Sequence, residues 1–483
     1  MAEKGKGTYN VVVIGAGTAG LVTAAATAGL GGRVALIERG KMGGDCLNTG
    51  CVPSKALLSS ARLIAQVRRG EAWGLPGQEP VFDFAQVFQS MRERRQRIAP
   101  HDSQERFESL GVDVFHGAAR FVSPREVAVG DTVLKARNVV IATGSRAAVP
   151  PIEGLRDARV FTNETIFDEL TEKPLRMVVL GAGPVGCELG QVLARLKISV
   201  TMVQRGRRIL QKEDSDASDA ALASLQADGI RVVLNADVKM VTRQGSRTRV
   251  WVEVEGRDRE PVDCDAILLA TGRVPNLEGL NLQAAGVAST PHGITVDEQL
   301  RTSQRHIFAA GDIVGPPYFT HVADLHARTV VRNILFPWFP EKVDHSVIPW
   351  CTFTSPEIAR VGLNEEEAIK RAVSYDVYKQ PMAQADRAIV EGTEAGFAKV
   401  LAAKGTDRIL GATIVSARAG EIIHEFALAM KAKIGLKTIS NLVHAYPTYS
   451  EIARKLADDL RKTCVTPRAQ TLFAWLYRRA RKD

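Results

Sequence analysis

Residues 43–55 have the sequence GGDCLNTGCVPSK, in which four residues separate Cys46 from Cys51. Two cysteines at this spacing can form a small disulfide ring and open it again, which stores two electrons if one sulfur is kept as thiolate. Lys55 lies four residues after Cys51, one helical turn away, and favours that thiolate. Gly44 allows the backbone to approach a flat partner. Two inert buried cysteines would need neither the glycine nor the lysine, so the stretch predicts a redox-active pair.

The segment before this pair has the parts of a dinucleotide-binding βαβ unit. Apolar runs at 9–14 and 33–37 predict two buried strands, and GAGTAG at 15–20 opens an alanine-rich helix between them. The second strand ends at Glu38, 23 residues after the first glycine of that motif. In such a unit the glycines admit a pyrophosphate to the helix N-terminus, and the acid accepts from a ribose hydroxyl. We therefore expect a nucleotide site that contains Glu38 and three glycines, Gly15, Gly17 and Gly20.

A repeat of the whole motif follows the Pro150-Pro151 boundary. Strand-forming runs at 177–180 and 200–203 flank the sequence GAGPVG, whose glycines are Gly181, Gly183 and Gly186. The residue that corresponds to Glu38 is Gln204, and three arginines follow it: Arg205, Arg207 and Arg208. Loss of the carboxylate removes repulsion toward a 2′-phosphate, and arginines offer forked donors for it, which favours NADPH over NADH. A basic surface turn is the alternative, and Gly186 is compatible with NADH as well.

The redox stretch resembles the active disulfide of the flavin-dependent pyridine nucleotide-disulfide oxidoreductases, which include dihydrolipoamide dehydrogenase, glutathione reductase and mercuric reductase. It matches every fixed position of their signature GGxCxNxGCxPSK. The resemblance implies that Cys51 faces a flavin and Cys46 meets the substrate. It also implies that Lys55 pairs with Glu188 close to the hydride path, although an ordinary acid near a helix start is the alternative for Glu188.

Other motifs extend the resemblance over nearly the whole chain. They imply FAD on the first βαβ unit, NADPH or NADH on the second, and contacts to these cofactors from the turns after three buried strands. Those turns contribute Thr143 and Gly144 in an ATG motif, Gly272 and Arg273 in ATGRxPN, and Gly311 and Asp312 in AxGD. In the family the aspartate of the last motif accepts a hydrogen bond from the ribityl chain of the flavin.

The implied fold class is α/β, with two nested Rossmann-like dinucleotide-binding domains and a C-terminal α+β dimerisation domain. We expect an FAD-binding domain over residues 1–149 and 276–345, with an NAD(P)-binding domain over 150–275 inserted in it. The dimerisation domain is expected over 346–464, followed by a basic tail over 465–483.

The last family motif, at residues 444–451, departs from the pattern at one position. Dihydrolipoamide dehydrogenase and glutathione reductase have a histidine before the proline, and a later glutamate orients it to move protons for the thiols. This chain has Tyr446 there and keeps Glu451. A phenol with a reference pKa near ~10 is a poor base at neutral pH, although it can donate a hydrogen bond or ligate a metal. His444 is either a substitute base or a structural histidine at the interface.

The tyrosine resembles the mercuric-reductase branch, although only Cys464 lies near the end of this sequence, where that branch has adjacent cysteines. We expect a homodimer in which Tyr446 and Glu451 complete the site of the other subunit. Electrons from NADPH or NADH would pass through FAD to the Cys46–Cys51 disulfide and on to a small disulfide or a metal ion such as Hg(II). The alternatives are a dihydrolipoamide dehydrogenase that acts on a dithiol, and a flavoprotein that docks on a membrane or partner.

The composition is that of an ordinary globular protein with 45% hydrophobic and 24% charged residues. Residues 461–483 carry +6 of the net charge of +9, so basicity belongs to the tail and no nucleic-acid partner is expected. The tail could instead contact an anionic membrane or pack on the dimer. Glycines interrupt the uncharged run at 7–32, so we expect no targeting segment and a cytoplasmic protein. No cysteine spacing resembles a zinc site, so no structural metal is expected.

Overall fold

The computed structural model describes residues 4–245, 247–256 and 259–481. The strands are β1 (Thr8–Ile14), β2 (Val34–Glu38), β3 (Val112–His116), β4 (Ala119–Ser123), β5 (Glu126–Val129), β6 (Thr132–Ile141), β7 (Ser145–Ala147), β8 (Val160–Phe161), β9 (Arg176–Leu180), β10 (Ser199–Val203), β11 (Arg231–Val233), β12 (Ala236–Gln244), β13 (Arg247–Val254), β14 (Glu260–Cys264), β15 (Ala266–Leu269), β16 (Arg273–Pro275), β17 (Ser289–Thr290), β18 (Gly293–Ile294), β19 (Ile307–Ala309), β20 (Trp350–Thr352), β21 (Glu357–Gly362), β22 (Tyr375–Pro381), β23 (Phe397–Ala403) and β24 (Ile409–Ser416). The helices are α1 (Thr18–Gly29), α2 (Gly44–Asn48), α3 (Cys51–Arg68), α4 (Phe84–Ile98), α5 (Gln104–Ser109), α6 (Ile166–Glu169), α7 (Pro184–Arg195), α8 (Ser215–Ala227), α9 (Thr320–Leu335), α10 (Glu365–Lys370), α11 (Asp386–Val390), α12 (Ala419–Lys431), α13 (Leu436–Asn441), α14 (Glu451–Cys464) and α15 (Pro467–Ala480).

The chain divides into two compact units. One holds residues up to Arg207 together with Asp228–Asp344, and the other holds Arg208–Ala227 together with the chain from His345 onward. The first unit contains two sheets whose central strands are parallel, the larger of them with an antiparallel edge formed by β4 and β5, and the second contains one antiparallel sheet. The predicted fold class, α/β with two nested dinucleotide-binding domains and a C-terminal α+β domain, is confirmed. The predicted domain boundaries stay predictions.

The larger sheet of the first unit brings three predicted cofactor motifs to one edge. Its strand order is β3-β2-β1-β6-β5-β4, with β19 paired to β6. Ile14 and Ala309 both lie opposite Ile141 in parallel ladders. Because β1, β6 and β19 end at this level, the turns that follow them emerge together, as in doubly wound sheets that bind ligands at their carboxyl edge. The central residues of β1 are fully buried, in agreement with a strand covered on both faces.

The second parallel sheet repeats this arrangement with the strand order β11-β10-β9-β15-β8. Leu180 at the end of β9 lies opposite Leu269 at the end of β15, so the second glycine motif and the ATGRxPN motif also leave one edge. A three-stranded antiparallel sheet, β12-β13-β14, is attached to this part of the chain.

The second unit is built on the antiparallel sheet β20-β21-β24-β23-β22. Helices α12 and α14 supply buried residues such as Phe426 and Leu456 to its core. Lys399 of β23 is buried, and its ammonium lies 2.7 Å from Asp214 and 2.8 Å from Glu365, an arrangement that ties the segment before α8 to this sheet. Among the described residues no helix is both long and apolar enough to cross a membrane.

Candidate active site

The two cysteines of the redox stretch lie on consecutive helices. Cys46 is inside α2, and Cys51 is the first residue of α3, after Gly50 as the N-cap. Both are free thiols in this structure. Gly44 has φ +57°, and a Cβ at this position would clash with the Cα of Gly17. A glycine is therefore required where the redox segment crosses the first phosphate loop.

Electrostatics make the two sulfurs unequal. The pKa of Cys51 is lowered from 9.0 to about 6, first by a hydrogen bond with Cys46. Burial opposes this shift, whereas a hydrogen bond from Thr320 and the charge of Lys55 assist it. The Cys51 Sγ lies 3.2 Å from Oγ1 of Thr320, the residue at which α9 begins. The hydrogen bond with Cys51 and burial raise the pKa of Cys46. At neutral pH Cys51 is therefore a thiolate and Cys46 a thiol.

The predicted pair of Lys55 and Glu188 comes together. Lys55 Nζ lies 2.8 Å from Glu188 Oε2, and the side chain of Glu188 is only 6% exposed. Lys55 lies one turn into α3, and Glu188 lies in the first half of α7. The contact joins the helix that starts with Cys51 to the helix of the second glycine motif. The proximity of this pair to the path of a hydride stays a prediction.

The glycine positions fit a dinucleotide at each phosphate loop. In both motifs the first glycine is packed on a neighbouring strand, because a Cβ at Gly15 or Gly181 would clash with a backbone carbonyl. In both motifs the third glycine, Gly20 or Gly186, would clash with the carbonyl of the first. The second glycine is different, because a Cβ at Gly183 meets nothing within 4 Å. Space of this kind beside a helix N-terminus is what a pyrophosphate needs.

In each βαβ motif, a side chain at the end of the second strand holds the glycine loop in the same way. Glu38 Oε2 accepts from the Ala16 amide at 2.6 Å, and Gln204 Oε1 accepts from the Ala182 amide at 2.9 Å. An amide therefore replaces a carboxylate with the same contact retained, so the second site loses a negative charge and keeps its geometry.

The arginines after Gln204 differ in their contacts. Arg205 is exposed and lies 3.1 Å from Asp237 Oδ1, and Arg207 is also exposed. Arg208 is half-buried, with its Nη1 2.5 Å from Glu366 and its Nη2 donating to two backbone carbonyls. These two nitrogens are engaged within the second unit, whereas the buried Nε has no hydrogen-bond partner among the described residues. The contact of Arg208 with a 2′-phosphate stays a prediction.

The ATG and ATGRxPN turns are hydrogen-bonded to each other. Thr143 Oγ1 donates to the Asn276 carbonyl at 2.9 Å, and the Asn276 amide returns a bond to Thr143 at 2.9 Å. Gly144 and Gly272 both have positive φ, and a Cβ at either would meet nothing within 4 Å. This clamp fixes the two crossings of the chain beside the cofactor edge of the larger sheet.

Arg273 connects the predicted flavin contact to the redox stretch. The Ser145 hydroxyl donates to Asp312 Oδ2 at 2.5 Å and accepts from Arg273 Nε at 2.7 Å. Arg273 Nη2 lies 3.0 Å from Asp45 Oδ2. Burial raises the pKa of Asp312, and Gly311, next to it, has φ +78°. Sequence reasoning missed Asp45 and Ser145. The charge of Asp45 inside the redox motif was the sequence feature that could have indicated an ion pair there.

Tyr446, at the position where two members of the family have a histidine, is hydrogen-bonded to a carboxylate from a distant segment. The Tyr446 hydroxyl donates to Asp386 Oδ2 at 2.9 Å, which raises the pKa of the phenol. Glu451 is buried instead beside Arg454, 3.1 Å away, and its Oε2 has no hydrogen-bond partner among the described residues. Tyr446 itself is 72% exposed on the single chain. Asp386 was missed because it lies 60 residues away in the sequence.

His444 makes contacts of its own within the second unit. Its Nε2 lies 3.1 Å from Glu425 of α12, and its Nδ1 lies 3.2 Å from the carbonyl of Leu442. Both ring nitrogens therefore face acceptors inside the second unit, an arrangement that suits a structural tether. Across residues 4–245, 247–256 and 259–481, no group of three or more His, Cys, Asp and Glu side chains could hold a metal ion.

Comparisons with known proteins agree with this geometry. A model of the pyridine nucleotide-disulphide oxidoreductase family matches residues 9–327, and a model of that family's dimerisation domain matches residues 348–457. Mercuric reductase of Staphylococcus aureus is 33% identical over 455 residues, which cover 93% of this chain and 81% of the relative. Dihydrolipoyl dehydrogenase of Trypanosoma brucei brucei is 35% identical over 459 residues, which cover 92% and 95%.

Solved structures are similar over the same length. The HOCl-induced flavoprotein disulfide reductase RclA from Escherichia coli has a TM-score of 0.84 at 28% identity, covering 93% of this chain and 99% of that one. Its Cu(II) complex has a TM-score of 0.84 at 27% identity, covering 94% and 99%. The family models span both units, and the glycine loops fit two dinucleotides. The chain therefore belongs to the class I pyridine nucleotide-disulfide oxidoreductases, FAD-dependent enzymes that use NAD(P)H and carry a dimerisation domain.

Proposed function

We propose that this chain is a cytoplasmic, homodimeric reductase that takes electrons from NADPH and delivers them through Cys46 and Cys51 to a metal ion such as Hg(II). A small disulfide is the second class of oxidant. The observation that carries the choice is the hydrogen bond from Tyr446 to Asp386, at the position where dihydrolipoamide dehydrogenase and glutathione reductase have a proton-transferring histidine.

The proton demand of each oxidant class separates the candidates. Cleavage of a disulfide needs a proton for the leaving sulfur, and oxidation of a dithiol needs a base. The raised pKa of Tyr446 makes its phenol a poor acid and a poor base at neutral pH. Hg(II) binds thiolates and takes up two electrons without accepting a proton. It is therefore the oxidant that depends least on the missing histidine.

The charges of the two sulfurs suit this reaction. FAD supplies the two-electron relay between NADPH and the disulfide. Two electrons and one proton convert the Cys46–Cys51 disulfide into a thiol and a thiolate, the state that the pKa values of the two residues favour. When a metal(II) ion takes both electrons, the disulfide forms again and the proton leaves from Cys46.

The coenzyme preference rests on Gln204. The first nucleotide motif ends in a carboxylate that would repel a 2′-phosphate, whereas the second ends in a neutral amide with the same loop contact. Arg205 and Arg207 are exposed beside it and can supply forked donors to a phosphate. We therefore infer that NADPH is preferred over NADH.

The relatives support both leading candidates and the alternative. One relative is a mercuric reductase, and RclA has been solved as a Cu(II) complex. The dihydrolipoyl dehydrogenase relative makes oxidation of a dithiol with NAD the alternative. Tyr446 disfavours that alternative because a dithiol has to lose two protons during its oxidation.

The test is turnover with a panel of oxidants. The yellow holoenzyme is reduced anaerobically with NADPH and then given Hg(II), Cu(II), glutathione disulfide or lipoamide, and dihydrolipoamide with NAD is tested in the reverse direction. We expect the fastest NADPH oxidation with a metal ion, and loss of it in Cys46→Ser. Tyr446→His is the matched variant, which should raise turnover of disulfide and dithiol and leave that of the metal ion unchanged. Fastest turnover with dihydrolipoamide in the wild type would overturn the proposal.

A further inference from the structure

Helix α15, at the end of the described chain, forms on local signals. Thr466 caps it, with Oγ1 accepting from the Ala469 amide at 3.2 Å, and Pro467 stands at its first position. These are the features by which a sequence starts a helix without help from packing. None of its residues is buried. The described part of the chain therefore leaves the surface of this helix uncovered.

The helix separates an apolar face from a basic one. At helical spacing the apolar residues lie on one side, and each is about half exposed or more: Leu472 53%, Phe473 49%, Leu476 47% and Tyr477 71%. At the same spacing Trp475 lies among the arginines, and the guanidinium of Arg479 is over its ring at 5.6 Å. Tryptophan is enriched at membrane–water interfaces, where its ring meets both an apolar layer and water.

The charge of this segment has one sign. Four arginines, Arg468, Arg478, Arg479 and Arg481, lie in residues 465–481, and the sequence there contains no aspartate or glutamate. A helix that packed on a second copy of a protein would gain from mixed charges, which can pair across the contact. Arginines beside an apolar face, without any acidic residue among them, instead complement a layer of anionic headgroups.

We propose that α15 binds the surface of an anionic lipid membrane, with its apolar face in the headgroup–acyl boundary and its arginines on lipid phosphates. Its 14 residues would extend about 21 Å, shorter than the ~30 Å hydrocarbon core, so the helix lies along the surface. The proposal concerns the location of the enzyme and does not depend on which oxidant it reduces.

The test is flotation of the full-length FAD-loaded protein with lipid vesicles. We expect binding to phosphatidylcholine vesicles that contain about one third phosphatidylglycerol, and weak binding to phosphatidylcholine alone. High salt should release the protein. Leu472→Glu with Leu476→Glu should abolish binding. Arg478→Gln with Arg479→Gln should weaken it about 30-fold, because each basic residue near an anionic surface contributes about one kcal/mol.

The control variant is Val81→Glu, which places one glutamate at a fully exposed apolar side chain outside the helix and should bind like the wild type. Dimer mass and NADPH turnover in solution are measured for every variant and should not change. Equal binding to neutral and anionic vesicles, or no binding to either, would overturn the proposal. A change in dimer mass in the Leu472→Glu, Leu476→Glu protein would overturn it too, because a second copy would then cover the helix.

Discussion

The two glycine motifs of the first unit have the same backbone design and differ in what lies over them. In both, the first and third glycines are fixed by packing, and a side chain after the second strand accepts a hydrogen bond from the loop. Over the first loop lies Gly44 of the redox stretch, so close to Gly17 that no side chain fits at residue 44. In the second loop, a Cβ added at Gly183 would meet no atom of the described residues within 4 Å.

This difference corresponds to two ways of using a dinucleotide. A loop covered by another segment suits a cofactor that stays bound through many turnovers, and an open loop suits a coenzyme that enters and leaves. The charge differs in the same sense, because the carboxylate of Glu38 would repel a 2′-phosphate and the neutral amide of Gln204 would not. We propose that one βαβ design is specialised in this way, by a packing contact and a change from carboxylate to amide.

The largest expected effect is that of closing the space between Gly44 and Gly17. In Gly44→Ala the new Cβ would clash with the first loop and sit at a φ of +57°, so we expect loss of retained FAD and a decrease of about 3 kcal/mol in the free energy of unfolding. The flavin-to-protein ratio and urea unfolding measure both. Gly183→Ala is the matched control, and it should keep FAD and stability while raising the KM for NADPH. A Gly44→Ala protein with full flavin content would contradict the comparison.

A smaller effect is expected when the second motif receives the acid of the first. Gln204→Glu keeps the acceptor for the Ala182 amide and restores a negative charge beside the coenzyme. We expect kcat/KM for NADPH to fall about 10- to 100-fold, while that for NADH changes little, because only NADPH carries the 2′-phosphate. Steady-state kinetics with both coenzymes measure the ratio. Arg207→Ala should lower the same ratio by less, and an unchanged ratio in Gln204→Glu would show that this residue does not select the coenzyme.

The sequence predicts the parts of the molecule that depend on local backbone constraints. Glycines at fixed spacing are needed where a Cβ would clash or φ is positive, and these requirements follow from neighbouring residues in the chain. The helix that starts at Cys51 and the strands that precede each glycine motif are of this kind. The pairing of Lys55 with Glu188 could be predicted only through the family resemblance, because 133 residues separate them.

Contacts that depend on side chains from distant segments could not be predicted in this way. Arg208 follows the second motif and looks available for a phosphate, yet Glu366, from the C-terminal unit, takes its guanidinium. The Tyr446 hydroxyl similarly finds Asp386, although the family pattern pointed to Glu451. In each case the competing acceptor is an ordinary surface-type acid in the sequence, and only the fold brings it within hydrogen-bonding distance.

The smallest expected effect concerns the charges around Cys51, the first residue of α3, which the ion pair of Lys55 and Glu188 joins to the helix of the second motif. Its pKa is about 6, and Lys55 is one of the groups that lower it. Lys55→Met should raise that pKa toward 9.0, so that less thiolate is present near neutral pH and more alkali is needed to form it. The thiolate absorbance near about 240 nm of the reduced enzyme, titrated with base, measures the shift. Lys55→Arg keeps the charge and should titrate close to the wild type.

Asp45→Asn tests the effect of a negative charge on the pKa of Cys51. The Asp45 carboxylate raises the pKa of Cys51, so its removal should lower that pKa and extend the thiolate to more acidic solution. The asparagine still accepts from Thr49, and only the ion pair with Arg273 is lost, so the free energy of unfolding should fall by no more than about 1 kcal/mol. If Lys55→Met and Asp45→Asn moved the titration in the same direction, the thiolate would be set by the sulfur–sulfur and Thr320 hydrogen bonds alone. The charged side chains around Cys51 would then have a structural role only, with no effect on the pKa of its thiol.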